Sequence, residues 1–147
     1  MVRALGRSRA SGLRAAALLA IAASGCASTG TTPAVKHGVP MEVTLDHGKT
    51  VVQRATVPYG SNAMLDLKRD ARSIGTLFDG RYVSSIDGHS QSYSSNTYWI
   101  VYVNCVAANV GATEITVKKG DTIWWDLRHV VGPLPTTADP ACPFRHR

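Results

Sequence analysis

The chain has 147 residues, 44% of them hydrophobic and 18% charged, with a formal net charge of +6. That length suits one small domain, and ordinary glycine and proline contents exclude collagen-like and wholly disordered chains. The positive balance carries no nucleic-acid reading. Arg3, Arg7, Arg9 and Arg14 lie in the first 25 residues, where there is no acid, and without them twelve basic residues face ten acidic ones, a net of +2. A +2 domain without a basic cluster has no electrostatic footprint for DNA or RNA.

In chain order, residues 1–14 are a positive leader and residues 15–23, AAALLAIAA, are nine apolar residues in a row. That run is too short to span a bilayer and has the length of a signal-peptide core. Ala23-Ser24-Gly25-Cys26 resembles the bacterial lipobox, in which a small residue precedes a cysteine that is diacylated, a palmitate-type modification, and becomes the new N-terminus. Ala23 stands where leucine is commonest. The alternative is an ordinary secretory signal with Cys26 incidental. The lipobox reading makes 1–25 a lipoprotein signal peptide and Cys26 a lipidation site, so the protein is held at the extracytoplasmic face of the cell membrane. Each buried acyl CH₂ contributes about 0.8 kcal/mol, so two or three chains anchor firmly. Residues 26–40 then form the acylated cysteine and a flexible tether spanning about 20 Å.

Met41–Asp46 alternates apolar and polar residues, which predicts a strand with one buried face. His47-Gly48-Lys49 is turn-like, and Thr50–Val57 is a β-branched hairpin partner. Ser61 or Asn62 caps a helix over 63–72, with Met64, Leu67 and Ala71 on its buried face. Asp66, Lys68, Arg69, Asp70 and Arg72 form the solvated face. Residues 74–79 are a connector, 82–86 a short strand, and 87–96 a polar loop. Thr97–Asn104 is the most strand-like run and is expected to be central and covered on both faces. Ala107–Thr113 is a small-residue loop, 114–117 alternates like a strand, and 122–127 is a further strand. The 129–147 tail is proline-rich and irregular. One helix among strands, in the order β-β-α-β-β-β-β, gives an α+β class, a mixed sheet packed on one helix, best matched by a ubiquitin-like β-grasp over 41–128.

The cysteines are Cys26, Cys105 and Cys142. If Cys26 is acylated, Cys105–Cys142 is the one intramolecular bridge left, and an exported protein favours it. Two free thiols or intermolecular pairing are the alternatives. No CxxC or HxxxH spacing exists, so no zinc or other metal site is expected.

Gly80-Arg81-Tyr82-Val83-Ser84-Ser85-Ile86-Asp87-Gly88 resembles the G-x-(F/Y)-V-x-x-I-x-G segment of a bacterial family of exported domains of unknown function. That family is related to the C-terminal domain of transcobalamin and intrinsic factor. Tyr98–Asn104 resembles its W-x-x-Y-V-N strand, and Val110–Glu114 and Lys119–Asp126 resemble its V-G-A and G-D-x-x-W-W-D segments. Cys105 stands where glycine is usual, and 128–147 departs from the family pattern. The resemblance implies a β-grasp fold in an exported protein. It also supplies a ligand class, because the transcobalamin relatives help enclose cobalamin.

Catalysis has little support. Asp87, His89 and Ser90 share one polar loop, but no G-x-S-x-G frame surrounds any serine. His37, His47, His89, His129 and His146 are scattered over tether, turns and tail. Val110-Gly111-Ala112 lacks phosphate-loop spacing. The aromatics remain. Trp124 and Trp125 must face opposite sides of their strand, so one is core and the other is covered by the tail or exposed. An exposed aromatic face with Tyr98, Tyr102, Asn104 and one of Trp124 or Trp125 would suit a planar ligand or a partner. The sequence therefore predicts a non-catalytic binding module without a required cofactor. It docks an envelope protein or a glycan, or alternatively binds a corrinoid (cobalamin-like) ligand.

Overall fold

The computed structural model describes residues 37–134 and 136–145. The leader, Cys26 and the tether up to residue 36 lie outside the described residues. The fold is α+β, mostly sheet with one short helix. A mixed five-stranded sheet has the strand order Thr50–Val57, Val39–Leu45, Ile123–His129, Thr97–Val103, Val106–Ala107, and a second sheet has the order Ile74–Leu77, Tyr82–Ile86, His89–Ser90.

Strand β1 (Val39–Leu45) and strand β2 (Thr50–Val57) form the expected hairpin. Strand β8 (Ile123–His129) runs parallel to β1, with Val43 opposite Trp125, and antiparallel to β6 (Thr97–Val103), with Tyr102 opposite Trp124. Strand β7 (Val106–Ala107) adds a two-residue edge to β6. Strand β8, not β6, is therefore the middle of the sheet. The register follows from burial. Met41, Val43, Ile123, Trp125, Trp99 and Val101 share one face and one core, and a one-residue slip would turn all of them outward.

Helix α1 (Ala63–Asp70) closes that core with Ala63, Met64 and Leu67. Eight residues are too few for a stable isolated helix, so its ends are tied elsewhere. Asn62 Oδ1 accepts from Leu65 N at 2.9 Å. The carbonyls of Ile115 and Ala112 accept from the N–H groups of Ala63 and Met64. These bonds satisfy three of the unpaired amides at the helix start. They also explain why 114–117 is not a strand. Its hydrogen bonds go to the helix N-terminus and to one bridge, Asn62 with Thr116, while Ile115 and Val117 are buried.

Two further expectations are corrected. Asp66 is only 2% exposed rather than solvated. Both its carboxylate oxygens accept from Ser61 Oγ, at 2.7 and 2.8 Å. Residues 74–77 are a strand, β3 (Ile74–Leu77), not a connector. It pairs with β4 (Tyr82–Ile86), Ile74 opposite Ile86. The two-residue β5 (His89–Ser90) completes that sheet. The helix stops at Asp70, two residues early, because Ala71 turns to an extended backbone that leads into β3.

The second face of the large sheet is covered by the tail. Tyr102, Trp124, Cys105, Cys142 and Phe144 form a separate buried cluster, and Cys105 and Cys142 are disulfide-bonded. Closing a loop of that length contributes about 4 kcal/mol in the chain-entropy model. Charges are buried with the rings. Arg128 Nε donates to Asp126 Oδ2 at 2.6 Å, and Arg128 Nη1 donates to Asp139. Thr44 Oγ1 and the N–H groups of His47 and Gly48 also donate to Asp126.

Leu67→Ala should cost about 2–5 kcal/mol by cavity formation. Leu65→Ala, at a helix position 57% exposed, should change stability by less than about 0.5 kcal/mol. Urea denaturation of both variants checks this. Burial holds the Asp66 carboxyl above its ordinary range, with the Ser61 bonds opposing. A raised folded pKa gives stability that is present at low pH and is lost as pH rises through that pKa. Asp66→Asn should therefore gain on the wild type between pH 3 and pH 7, read as a pH-dependent difference in midpoint.

Candidate functional site

The residues singled out from the sequence do not form an exposed face. Tyr102 and Trp124 are fully buried under the tail, with ring centroids 4.5 Å apart. The Arg128 guanidinium sits 4.9 Å from the Tyr102 ring and 4.8 Å from the Trp124 ring. Trp124 Nε1 donates to Thr44 Oγ1 at 2.7 Å. Burial holds the Tyr102 hydroxyl well above the usual phenol range, so it stays neutral. Trp125 is buried in the main core. Asn104 is exposed but occupied with its own turn: Nδ2 donates to Asp121 Oδ1 at 2.8 Å, and Oδ1 accepts from Thr122 N at 2.9 Å. Tyr98 is half-buried and edge-on to Tyr93 at 5.7 Å. The aromatic face exists, then, but as an interior surface.

A different set of aromatics reaches solvent. A cleft of about 230 Å³ opens between the β3–β4 hairpin and β6. Tyr82, Val83, Trp99, Trp125, Val110 and Leu134 are among its lining residues. Trp99 is fixed there by its indole N–H, which donates to the His89 carbonyl at 3.0 Å. The opposite wall is held close by Gly111. A Cβ at that position would meet Arg81 Cβ and Arg81 O at 3.2 Å, and Ala112 N donates to Arg81 O at 2.8 Å. Arg81 and Glu114 pair across the rim. The lining holds no serine, cysteine, histidine or carboxylate.

Phe78 stands at the tip of the β3–β4 hairpin, edge-on to Tyr82 at 5.8 Å. It is 70% exposed, and Tyr82 is 46% exposed. Phe78, Asp79 and Gly80 all have positive φ, at 51°, 55° and 87°. A phenylalanine there costs roughly 1 kcal/mol relative to residues that accept this conformation, and its exposed ring recovers none of it by burial. Local pattern does not reveal this site, because 74–79 reads as a connector until 82–86 folds back on it. The usable signal was the register: Trp99, Val101 and Trp125 fall on one face only when β6 and β8 are aligned.

A larger depression is lined by Val52, Gln53, Asp70, Arg72, Ser73 and Asp87. Its carboxylates already have partners, Asp70 in Arg69 and Asp87 in the Ser73 N–H. Among the described residues, no group of three or more His, Cys, Asp or Glu side chains is placed to hold a metal ion.

With this geometry in place, the chain can be compared with known proteins. Residues 60–129, from just before α1 to the end of β8, match the model of a family described as a domain of unknown function (DUF4430). No curated protein matches the sequence. A protein from Ruminococcus gnavus ATCC 29149, provisionally named a metal binding protein, superposes with a TM-score of 0.52 at 12% identity. That match covers 65% of this chain and 100% of the other. Haptocorrin, solved in complex with Cbi, superposes with a TM-score of 0.50 at 16% identity, over 72% of this chain and 29% of haptocorrin. At these identities the likeness is one of fold, an α+β fold similar to part of a transcobalamin-type protein.

Phe78→Asn introduces a residue type that tolerates positive φ. It should raise stability by roughly 0.5–1 kcal/mol while removing the ring from the cleft rim. Thermal unfolding of the variant measures this directly. A loss of stability would mean that the Phe78 ring is a packing element.

Proposed function

We propose that this chain is an exported, lipid-anchored, non-catalytic binding module whose cleft takes the edge of a planar, amphipathic ligand of the corrinoid class. The observation that carries the reading is exposed Tyr82, which lines an apolar cleft with Trp99 and Trp125 and packs edge-on against Phe78 of the neighbouring positive-φ turn. The fold likeness to a protein solved with Cbi supports the ligand class. The strand order, with β1 and β8 parallel at the centre and a β1–β2 hairpin at one side, supports a β-grasp type of fold. A lining without serine, cysteine, histidine or carboxylate supports a binding role over an enzymatic one.

The size of the cleft bears on the partner. Pockets that enclose a small ligand measure about 300–1,000 Å³, and 230 Å³ takes only one side of a corrinoid. A second protein surface of the cell envelope would complete the enclosure, which joins the ligand reading to the docking reading. No helix among the described residues is long and apolar enough to cross a membrane. In this proposal, attachment rests on acylated Cys26.

The test uses the full chain purified in mild detergent and titrated with cobinamide and cobalamin, followed by tryptophan fluorescence and corrinoid absorption. Saturable binding in roughly the micromolar range is expected, weakened about tenfold by Tyr82→Ala or Phe78→Ala, a loss of about 1.4 kcal/mol each. No binding at millimolar ligand removes the corrinoid reading. Separately, Cys26→Ala should release the protein from the membrane fraction or block its processing. Normal processing with unchanged retention would remove the anchor.

A further inference from the structure

The segment after His129 serves two surfaces at once. Leu134 lines the cleft beside Trp99 and Trp125. Beyond it, Asp139 is buried against Arg128, and its N–H donates to the Cys105 carbonyl at 2.8 Å. Cys142 is bonded to Cys105. Phe144 completes the buried cluster with Tyr102 and Trp124, and Ala141 packs against it. That cluster shares no buried residue with the main core around Val43, Met64, Leu67 and Trp125. Between β8 and Asp139 the chain has exposed Val131, Gly132 at φ +75°, and Pro133. A segment with a separate hydrophobic footprint and an irregular lead can detach locally while the sheet stays folded.

We propose that this segment is a redox-latched strap. With the Cys105–Cys142 bond intact, it seals Tyr102 and Trp124 and sets Leu134 as one wall of the cleft. When a dithiol reduces the bond, the strap lifts, Tyr102, Trp124 and Arg128 reach solvent, and the cleft loses that wall. The step is thiol–disulfide exchange. In a local opening of the tail that exposes the bridge, whose cysteines are buried in the closed form, one thiolate of the dithiol attacks a sulfur, forming a mixed disulfide and expelling the other cysteine as thiolate. The second thiol of the dithiol then closes on the first and releases the remaining cysteine. Cys105 and Cys142 gain two electrons and two protons, and the dithiol becomes a cyclic disulfide. The consequence for the cleft rests on the ligand reading above; the strap itself does not.

Hydrogen exchange of the full chain in detergent, with and without dithiothreitol, tests the strap. Reduction should speed exchange of the Asp139 and Cys142 amides by at least about tenfold and leave the amides of β1 and β8 unchanged. The double variant Cys105→Ser, Cys142→Ser should show the same pattern without reductant. Unchanged protection in the tail overturns the strap, and so does loss of protection throughout the sheet, which would make the bond a condition of the whole fold. Cobinamide should bind the reduced protein more weakly than the oxidised one. Equal affinity overturns the cleft consequence. If cobinamide binds neither form, the ligand reading falls and the exchange pattern alone decides the strap.

Discussion

Strand β8 carries two adjacent tryptophans, and a strand must send them to opposite sides. Trp125 enters the core that α1 closes, and Trp124 is left on a face that the helix does not cover. The rest of the architecture follows from hiding that second ring. The tail is drawn across it, the disulfide holds the tail there, and Phe144 helps fill the space. Without the tail, Trp124 and Tyr102 would lie open on a sheet that also carries Glu42, Thr44, Asp126 and Arg128 on that side. This explains how a small domain comes to bury both faces of its central strands.

Burying that face also buries charge, which is tolerable only when every charge is met. Asp126 is the meeting point. It accepts from Thr44, from two amides of the β1–β2 turn and from Arg128. Gly48, in that turn, has φ +76°, and a Cβ there would stand 3.0 Å from the Ala141 carbonyl. Turn and central strands therefore converge on one carboxylate, and the tail joins them through Arg128. Arg128 spans the gap between Asp126 and Asp139, with its guanidinium 4.9 Å from the Tyr102 ring and 4.8 Å from the Trp124 ring. A cation over an aromatic face gains most when water is excluded, so the sealed state and the ion network strengthen each other.

Much of the fold was legible in local pattern. The β1–β2 hairpin, the Asn62 cap and the β6 and β8 runs all announce themselves through alternation, capping chemistry or β-branched composition. What was not legible depends on partners that local periodicity does not reveal. Asp66 looks like a surface residue on the helical wheel and is buried because Ser61, five residues earlier, meets both its oxygens. Residues 74–77 become a strand only because 82–86 folds back on them. Residues 114–117 have strand-like alternation, yet the Ile115 carbonyl is claimed by Ala63 at the start of α1 and the Val117 carbonyl by Gly60. The candidate site was missed for the same reason. Aromatic content marked the right strands, but only the register tells which rings meet solvent and which meet the tail.

The cleft sits where the small sheet approaches the edge of the large one, and its walls have different origins. The floor, Trp99 and Trp125, belongs to the main core and is as rigid as the sheet beneath it. The rim residue Tyr82, with Phe78 packed against it, rides on a two-strand hairpin whose tip is strained. Strained backbone positions persist where the surrounding structure over-determines them and cluster at ligand clamps, whereas the floor residues serve packing. Rigidity below with an exposed, costly rim above suits a ligand that stacks on the rim and presses an apolar edge into the floor. On that argument, substitutions at Trp99 report on stability first and binding second, and substitutions at Phe78 separate the two.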